Sequence, residues 1–259
     1  MLSKLFGFGK SKEAREAGAH PPVGSWAFLG TDMHSHLIPG IDDGAQTIDE
    51  SIQLIERLRD MGYKNLITTP HIKFDHYPNT SAVIQQGLQD LKKALAEREI
   101  DMPIKAAAEY YIDDHFMDLL ERKDLLTVKD NEVLVEISFM IEPIQFHEIL
   151  FQIQLAGYRP ILAHPERYAF YHEKKDAYND LKNRGCLLQL NVLALSGYYG
   201  KPVRQVAEKS LKEGLYAYCG TDMHHIRHAD GMYNMLSDNI LKELEVYPFH
   251  NSRLEVPVV

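Results

Sequence analysis

The chain has 259 residues, 45% of them hydrophobic and 25% charged, an ordinary globular composition with room for one large α/β domain or two small ones. Its formal net charge of −9 argues against a surface built to neutralise nucleic-acid phosphates, so no nucleic-acid partner is expected. No apolar stretch approaches the roughly 18 residues of a membrane span. The two cysteines, Cys186 and Cys219, lie in or beside apolar runs and read as buried reduced thiols rather than a disulfide framework.

Residues 1–25, ending in the loop-like Pro21-Pro22-Val23-Gly24, read as a flexible extension, and residues 26–259 as a single domain. Leu2, Leu5, Phe6 and Phe8 beside Lys4, Lys10 and Lys12 would suit contact with a membrane surface, and a frayed tail is the plainer reading. The first ten residues lack the continuous apolar core and cleavage site of a signal peptide, so a cytoplasmic location is expected.

From there, short apolar runs alternate with helical patterns. The runs at 29–36, 65–71, 104–110, 132–137, 160–164, 187–193 and 216–221 predict strands. Helices are predicted at 48–61, 82–98, 114–122, 145–156, 175–184 and 202–213, with one more after Gly231. Thr47-Ile48-Asp49-Glu50 has the pattern of a capping box. Gly185 and Gly214 stand where helices should end in left-handed caps. Strand–helix units joined by short connections imply a parallel sheet, either open or closed into a barrel.

Metal-ligand residue types recur at the strand ends. His34 and His36, one residue apart on a strand, would share a face. Asp43, His71, Glu109, Glu136, His164, Asp222 and His224 follow in turn. An open sheet would spread these ends far apart, because neighbouring strands lie about 4.8 Å from each other. Closure brings them to one mouth, where barrel enzymes keep their active sites. A single α/β barrel of seven strand–helix units is therefore the predicted fold.

The run from Asp32 to Gly44 (Asp-Met-His-Ser-His-Leu-Ile-Pro-Gly-Ile-Asp-Asp-Gly) resembles the first motif of the PHP (polymerase and histidinol phosphatase) superfamily. Thr68-Thr69-Pro70-His71, Ala108-Glu109-Tyr110, Ala163-His164-Pro165-Glu166-Arg167 and Gly220-Thr221-Asp222-Met223-His224 are similar to its later motifs, in order, across residues 30–228. Within that superfamily the chain resembles the capsule-biosynthesis type of metal-dependent protein tyrosine phosphatase. The resemblance implies a distorted (β/α)7 TIM-like barrel and up to three metal positions. His34, His36 and Asp222 would hold one metal, with Glu109 bridging to a second that Glu136 and His164 complete. Asp43, His71 and His224 would hold the third. Mn2+ is the metal the resemblance implies, and mixed N/O ligands also suit Fe or Zn.

The charge balance fits phosphate chemistry. Five neutral imidazoles and four carboxylates carry −4, and three divalent ions would carry +6, leaving +2 to meet a phosphate dianion and a hydroxide. Arg167 is expected to clamp phosphate through its planar fork, and Arg227 is a second clamp candidate from the family pattern. Neither cysteine has the context of a phosphatase nucleophile, so the expected chemistry is direct attack by a metal-bridging hydroxide. Asp32, His225 or a metal-bound water are the candidate proton donors to the leaving phenolate.

Asp32 is also placed to orient a ligand, Asp42 to cap its turn or be solvated, and Asn191 to line the pocket. His76, His115, His147, His172, His228 and His250 read as surface or helix-face residues. Tyr110, Tyr111, Tyr168, Phe170, Tyr198 and Tyr199 are candidates for an aromatic rim. The expected substrate is a phosphotyrosine protein, a bacterial tyrosine kinase of capsule or exopolysaccharide biosynthesis, through which the enzyme would associate peripherally with the inner membrane. The alternatives are a small-molecule phosphomonoesterase such as histidinol phosphatase, a nuclease-like proofreading module, and a metal-holding scaffold with an idle site.

Overall fold

The computed structural model describes residues 24–174 and 176–257. The expected extension therefore lies almost wholly outside the described residues. Of its last two, Ser25 caps a short 3-10 turn at Trp26–Phe28 and its hydroxyl donates to the Met61 carbonyl at 3.2 Å.

Among the described residues nine strands follow in chain order: β1 (Thr31–Asp32), β2 (Asn65–Thr68), β3 (His71–Ile72), β4 (Ile104–Ala106), β5 (Glu109–Tyr111), β6 (Glu132–Glu136), β7 (Arg159–Ala163), β8 (Leu187–Asn191) and β9 (Tyr218–Gly220). The described residues also form nine α-helices: α1 (Ile48–Asp60), α2 (Ser81–Glu97), α3 (Asp114–Arg122), α4 (Phe146–Leu155), α5 (Ala169–His172), α6 (Ala177–Asn183), α7 (Lys201–Lys212), α8 (Ile226–Met235) and α9 (Ile240–Glu245). Every pairing between these strands is parallel, in the orders β1-β2-β4 and β3-β5-β6-β7-β8-β9.

The two sheets are parts of one ring. β2 and β3 form a single stave interrupted at Thr69 and Pro70, and β4 and β5 one interrupted at Ala107 and Ala108. Pro70 has no N–H for a ladder, so the stave breaks there, while its carbonyl still accepts from Glu109 N at 3.1 Å. The last gap closes where Ser35 pairs in parallel with Met223 and His36 N donates to the Met223 carbonyl at 2.9 Å. Seven staves thus enclose a distorted barrel, as the strand count predicted.

Alternation along the staves explains the interior. Leu134, Ile161, Leu187 and Tyr218 join Met33 and Ile67 in a separate apolar cluster that fills one end of the barrel. Two or four residues further on, the same faces carry Glu136, Gln189 and Asn191. Val133, Val135, Leu162, Leu188 and Leu190 face the other way and join the main core with Ile55, Leu91, Ile153 and Leu211 of the helices. Fully burying one such side chain stabilises the fold by about 1.5–3 kcal/mol.

Half of the capping box forms as expected, with Glu50 N donating to Thr47 Oγ1 at 3.2 Å, while the Glu50 carboxylate accepts from Gln46 N at 2.7 Å, one residue before the N-cap. Two predicted elements are corrected. The first strand is regular only at Thr31–Asp32, because the His34 carbonyl turns to accept from Asp222 N at 2.8 Å. The helix expected after Gly231 starts earlier, at Ile226, with Gly231 inside it and close against Leu193.

Candidate metal centre

The residues singled out by motif converge on one cavity of about 390 Å3, which Asp43, His71, Glu109, Glu136, His164, Asp222 and His224 line together with Arg167. His34 and His36 form its floor and are fully buried. Their donor atoms fall into three overlapping groups, each compact enough to surround a single ion: His34, His36, Glu109 and Asp222; His36, Asp43, His71 and His224; and His71, Glu109 and Glu136. The first two contain the first and third sets expected from the motifs. In the remaining group His71 appears with Glu109 and Glu136, while His164 Nε2 lies 3.2 Å from Glu109 Oε1 and 3.6 Å from Glu136 Oε1.

Local backbone geometry aims these side chains. His164 (φ 34°) and Asp222 (φ 51°) both adopt the left-handed region just past β7 and β9. Such conformations cost of order 1–3 kcal/mol in a non-glycine residue and are concentrated at functional sites. Two close approaches hold the floor in place. A side chain at Gly44 would collide with His36, and one at Gly220 with the His34 Cβ and the Gln189 amide.

The inner histidines are held by partners on their far ring nitrogens. His36 Nδ1 donates to Asp42 Oδ2 at 2.8 Å, and the same carboxylate accepts from the His71 and Gly44 backbone N–H groups at 3.0 Å each. His34 Nδ1 donates to Gln189 Oε1 at 2.9 Å. The Gln189 amide nitrogen is committed to the Leu190 carbonyl at 2.6 Å, which fixes its oxygen as the acceptor. Both imidazoles therefore turn Nε2 inward, and the two Nε2 atoms lie only 3.3 Å apart. Around them stand Glu109 Oε2, 3.3 Å from His34 and 3.5 Å from His36, and Asp222 Oδ1 at 3.2 and 3.5 Å.

This arrangement calls for a cation. Protons on both Nε2 atoms would face each other across the gap, and without any the lone pairs and carboxylates repel. Glu109 Oε2 and His71 Nδ1 have no hydrogen-bond partner although both are buried. Burial would push His34 down, but Glu109 and Asp222 outweigh it and raise His34 to about 10. Against the same burial, His34 and its neighbours hold Glu109 and Asp222 well below the usual carboxylate range. The carboxylates demand positive charge where the imidazoles point, and a divalent ion with N/O ligands meets that demand. The donor set fits such ions.

Arg167 projects into the cavity from the 3-10 turn after β7. Its guanidinium lies between the rings of Phe139 (4.7 Å) and Tyr199 (4.4 Å), and Nη1 donates to Asp222 Oδ2 at 2.8 Å. The turn is anchored from beneath by Glu166, fully buried, which accepts from Asn191 N and Tyr216 OH. Burial pushes Glu166 up to about 7. Arg227 lies in the first turn of α8, exposed and outside the cavity lining.

Several auxiliary residues differ from expectation. Asp42 caps its turn by accepting from Gly44 N, one of the two expected readings, but it is buried rather than solvated and also holds the His36 ring and the His71 backbone. Its place beside Asp43 was the available signal, since histidine ligands are commonly backed by carboxylates. Asp32 does not reach a ligand ring. Its carboxylate accepts from Thr221 N and Oγ1 at 3.0 and 2.9 Å and ties β9 to β1. Asn191 does reach the site, donating to Asp222 Oδ2 at 2.9 Å. His228 is not a surface residue: α8 starts early enough to bury it against His225, and it lines the cavity with His76 and Lys73. Of the six aromatics expected at the rim, only Tyr199 lines the cavity; Phe139 and Tyr77 are the others that do. Tyr110 and Tyr168 are buried, with hydroxyls accepting from Leu126 N and Ile137 N.

A family model described as "Capsular polysaccharide synthesis, CpsB/CapC" matches residues 30–242. The chain belongs to the CpsB/CapC family. Membership agrees with the motif resemblance, and the matched span takes in all nine candidate ligands. Among CpsB/CapC relatives, CapC of Staphylococcus aureus is 27% identical over 222 residues, covering 83% of this chain and 87% of that protein. The tyrosine-protein phosphatase YwqE of Bacillus subtilis is 27% identical over 197 residues, 76% of this chain and 78% of that one. A crystal structure from work on YwqE and on CpsB of Streptococcus pneumoniae, described as "unique metal-dependent tyrosine phosphatases", superposes with a TM-score of 0.71. It covers 85% of this chain and 95% of that chain at 24% identity, a likeness of fold.

Proposed function

We propose that this protein is a metal-dependent phosphatase that hydrolyses phosphotyrosine in proteins, with residues 26–259 as its single catalytic domain. The observation that carries the reading is the concentration of nine N/O donors and one arginine around a single cavity, in a family whose relative YwqE is a tyrosine-protein phosphatase. His34, His36, Asp43, His71, Glu109, Glu136, His164, Asp222 and His224 would hold up to three divalent ions, Mn2+ in the first instance. Such ions supply Lewis acidity toward phosphoryl oxygens and lower the pKa of water toward about 7.

The chain's own residues do the rest. Arg167, stacked between two rings, keeps its remaining N–H groups free for a bidentate grip on phosphoryl oxygens and for the charge that grows there in the transition state. Phe139, Tyr199 and Tyr77 give the cavity apolar walls that match an aryl ring. His225 lines the cavity and can donate a proton toward the leaving phenolate, whereas the Asp32 carboxylate is occupied by Thr221. The buried thiols take no part.

Among the described residues no helix is long and apolar enough to cross a membrane. We place the protein in the cytoplasm, acting on a tyrosine kinase of capsule or exopolysaccharide synthesis and meeting the inner membrane through that partner. The test is to offer manganese-loaded protein phosphotyrosyl peptides and histidinol phosphate in parallel. Turnover of the peptides is expected. Turnover of histidinol phosphate alone would overturn the reading.

A further inference from the structure

The segment between β6 and α4 inverts the usual placement of polar and apolar side chains. Glu142 turns inward, accepting from Tyr171 OH at 2.7 Å and Lys174 Nζ at 2.6 Å, and is only 23% exposed. Met140, Ile141 and Ile144 turn outward at 87%, 66% and 101% exposure. Met140 N donates to Ser138 Oγ at 3.1 Å, so the turn is fixed at its start as well. A loop pinned through its carboxylate with its aliphatic side chains in water presents an apolar surface by construction.

That surface begins at the residue that follows Phe139, which lines the cavity. Phe139 stacks on His164 at 5.6 Å and covers one face of the Arg167 guanidinium. A phosphotyrosine whose phosphoryl group reached Arg167 would pass its ring beside Phe139 and leave its own backbone at the rim. An extended chain advances about 3.3 Å per residue, so the side chains one to three positions from that tyrosine would lie over the rim within roughly 10 Å. Met140, Ile141 and Ile144 are the apolar groups they would meet.

We propose that Met140, Ile141 and Ile144 form a docking strip for apolar residues flanking the phosphorylated tyrosine of the substrate protein. The inference rests on the phosphatase reading above. A peptide is favoured over a lipid surface because the nearby Lys174 is already paired with Glu142 and the whole chain carries a net charge of −9, a poor match for anionic headgroups. A second copy seated on the strip would cover the cavity mouth beside Phe139.

The test compares the full-length manganese-loaded protein with a Met140→Ser, Ile141→Ser, Ile144→Ser variant. The probes are p-nitrophenyl phosphate and two phosphotyrosyl peptides of equal charge, one with leucine and isoleucine and the other with serine at the flanking positions. The unaltered protein is expected to favour the apolar-flanked peptide by about tenfold in kcat/KM, the scale of partial burial of two or three aliphatic side chains. The variant should lose that preference through KM, with kcat and p-nitrophenyl phosphate turnover within about twofold of the original.

Indifference of the unaltered protein to the flanks, or a preference that survives in the variant, would overturn the docking strip while leaving the phosphatase reading intact. Loss of vesicle binding or of a dimer in the variant, with peptide preference unchanged, would overturn it in favour of a lipid or a second copy. Failure of the unaltered protein to turn over any of the three phosphate esters would instead overturn the phosphatase reading, and this inference with it.

Discussion

At the floor of the cavity His34, His36 and Glu109 are inaccessible and Asp222 is 3% exposed, whereas at its mouth His71, His224 and Asp43 stand at 12%, 14% and 51%. The inner imidazoles are each braced from behind by a buried side chain, Gln189 or Asp42. At the mouth, His224 Nδ1 meets the Asp222 backbone carbonyl at 2.8 Å and lies 3.4 Å from Asp222 Oδ1, and Asp43, half exposed, approaches the imidazoles at 3.4–3.5 Å. On the proposed metal reading, the difference teaches that an ion at the floor would be held tightly, while one at the mouth would exchange more readily. Low dielectric strengthens the inner interactions, and solvent weakens the outer ones.

Substitutions at the two ends should separate these roles. His34→Ala removes an inner ligand and leaves Glu109 and Asp222 facing each other. The expected result is a roughly thousandfold or greater fall in turnover, as loss of several kcal/mol of transition-state stabilisation implies, with a fall in bound metal by elemental analysis. Arg167→Ala should lower kcat by about 10²–10³ with a much smaller change in metal content, because the proposed role of the guanidinium is toward the phosphoryl group and it meets the ligand set only through Asp222 Oδ2. Arg167→Lys should recover only part of that, since an ammonium cannot grip two oxygens from a stacked plane. Asp43→Asn should act mainly through metal affinity, weakening the outermost ion about tenfold while the inner ions stay bound, as a manganese titration would show. Equal losses of metal from His34→Ala and Asp43→Asn would erase the distinction between floor and mouth.

The smallest effect is expected at the thiols. Burial pushes Cys186 up to about 12 and holds Cys219 well above the usual thiol range. A thiol-reactive dye at pH 8 should leave both unlabelled until the protein is unfolded, with no change in turnover. Fast labelling accompanied by inactivation would reopen a thiolate mechanism.

How far the sequence announced this arrangement depended on how local each signal was. Ligand types closing successive apolar runs pointed to a closed barrel, because inward-facing positions must change from apolar to polar where the strands end, as Leu134 gives way to Glu136. Residues that act across the chain left no such trace. Asp42 reads as one half of an acidic pair, and only the turn back toward His36 and His71 reveals its role. Gln189 is separated from His34 by 155 residues, and Phe139 reaches Arg167 from a loop with no periodicity. His228 sits on a helix, one of its two expected places, but it is buried, because α8 begins five residues before Gly231.

The central claim is that the convergent donors hold catalytic ions. It is tested most directly by counting metal per chain in the manganese-loaded protein and following phosphotyrosyl-peptide hydrolysis before and after chelation. The account predicts two to three ions per chain, a full loss of turnover when the ions are stripped, and its return on adding manganese. Turnover that persisted undiminished in metal-free protein would contradict it.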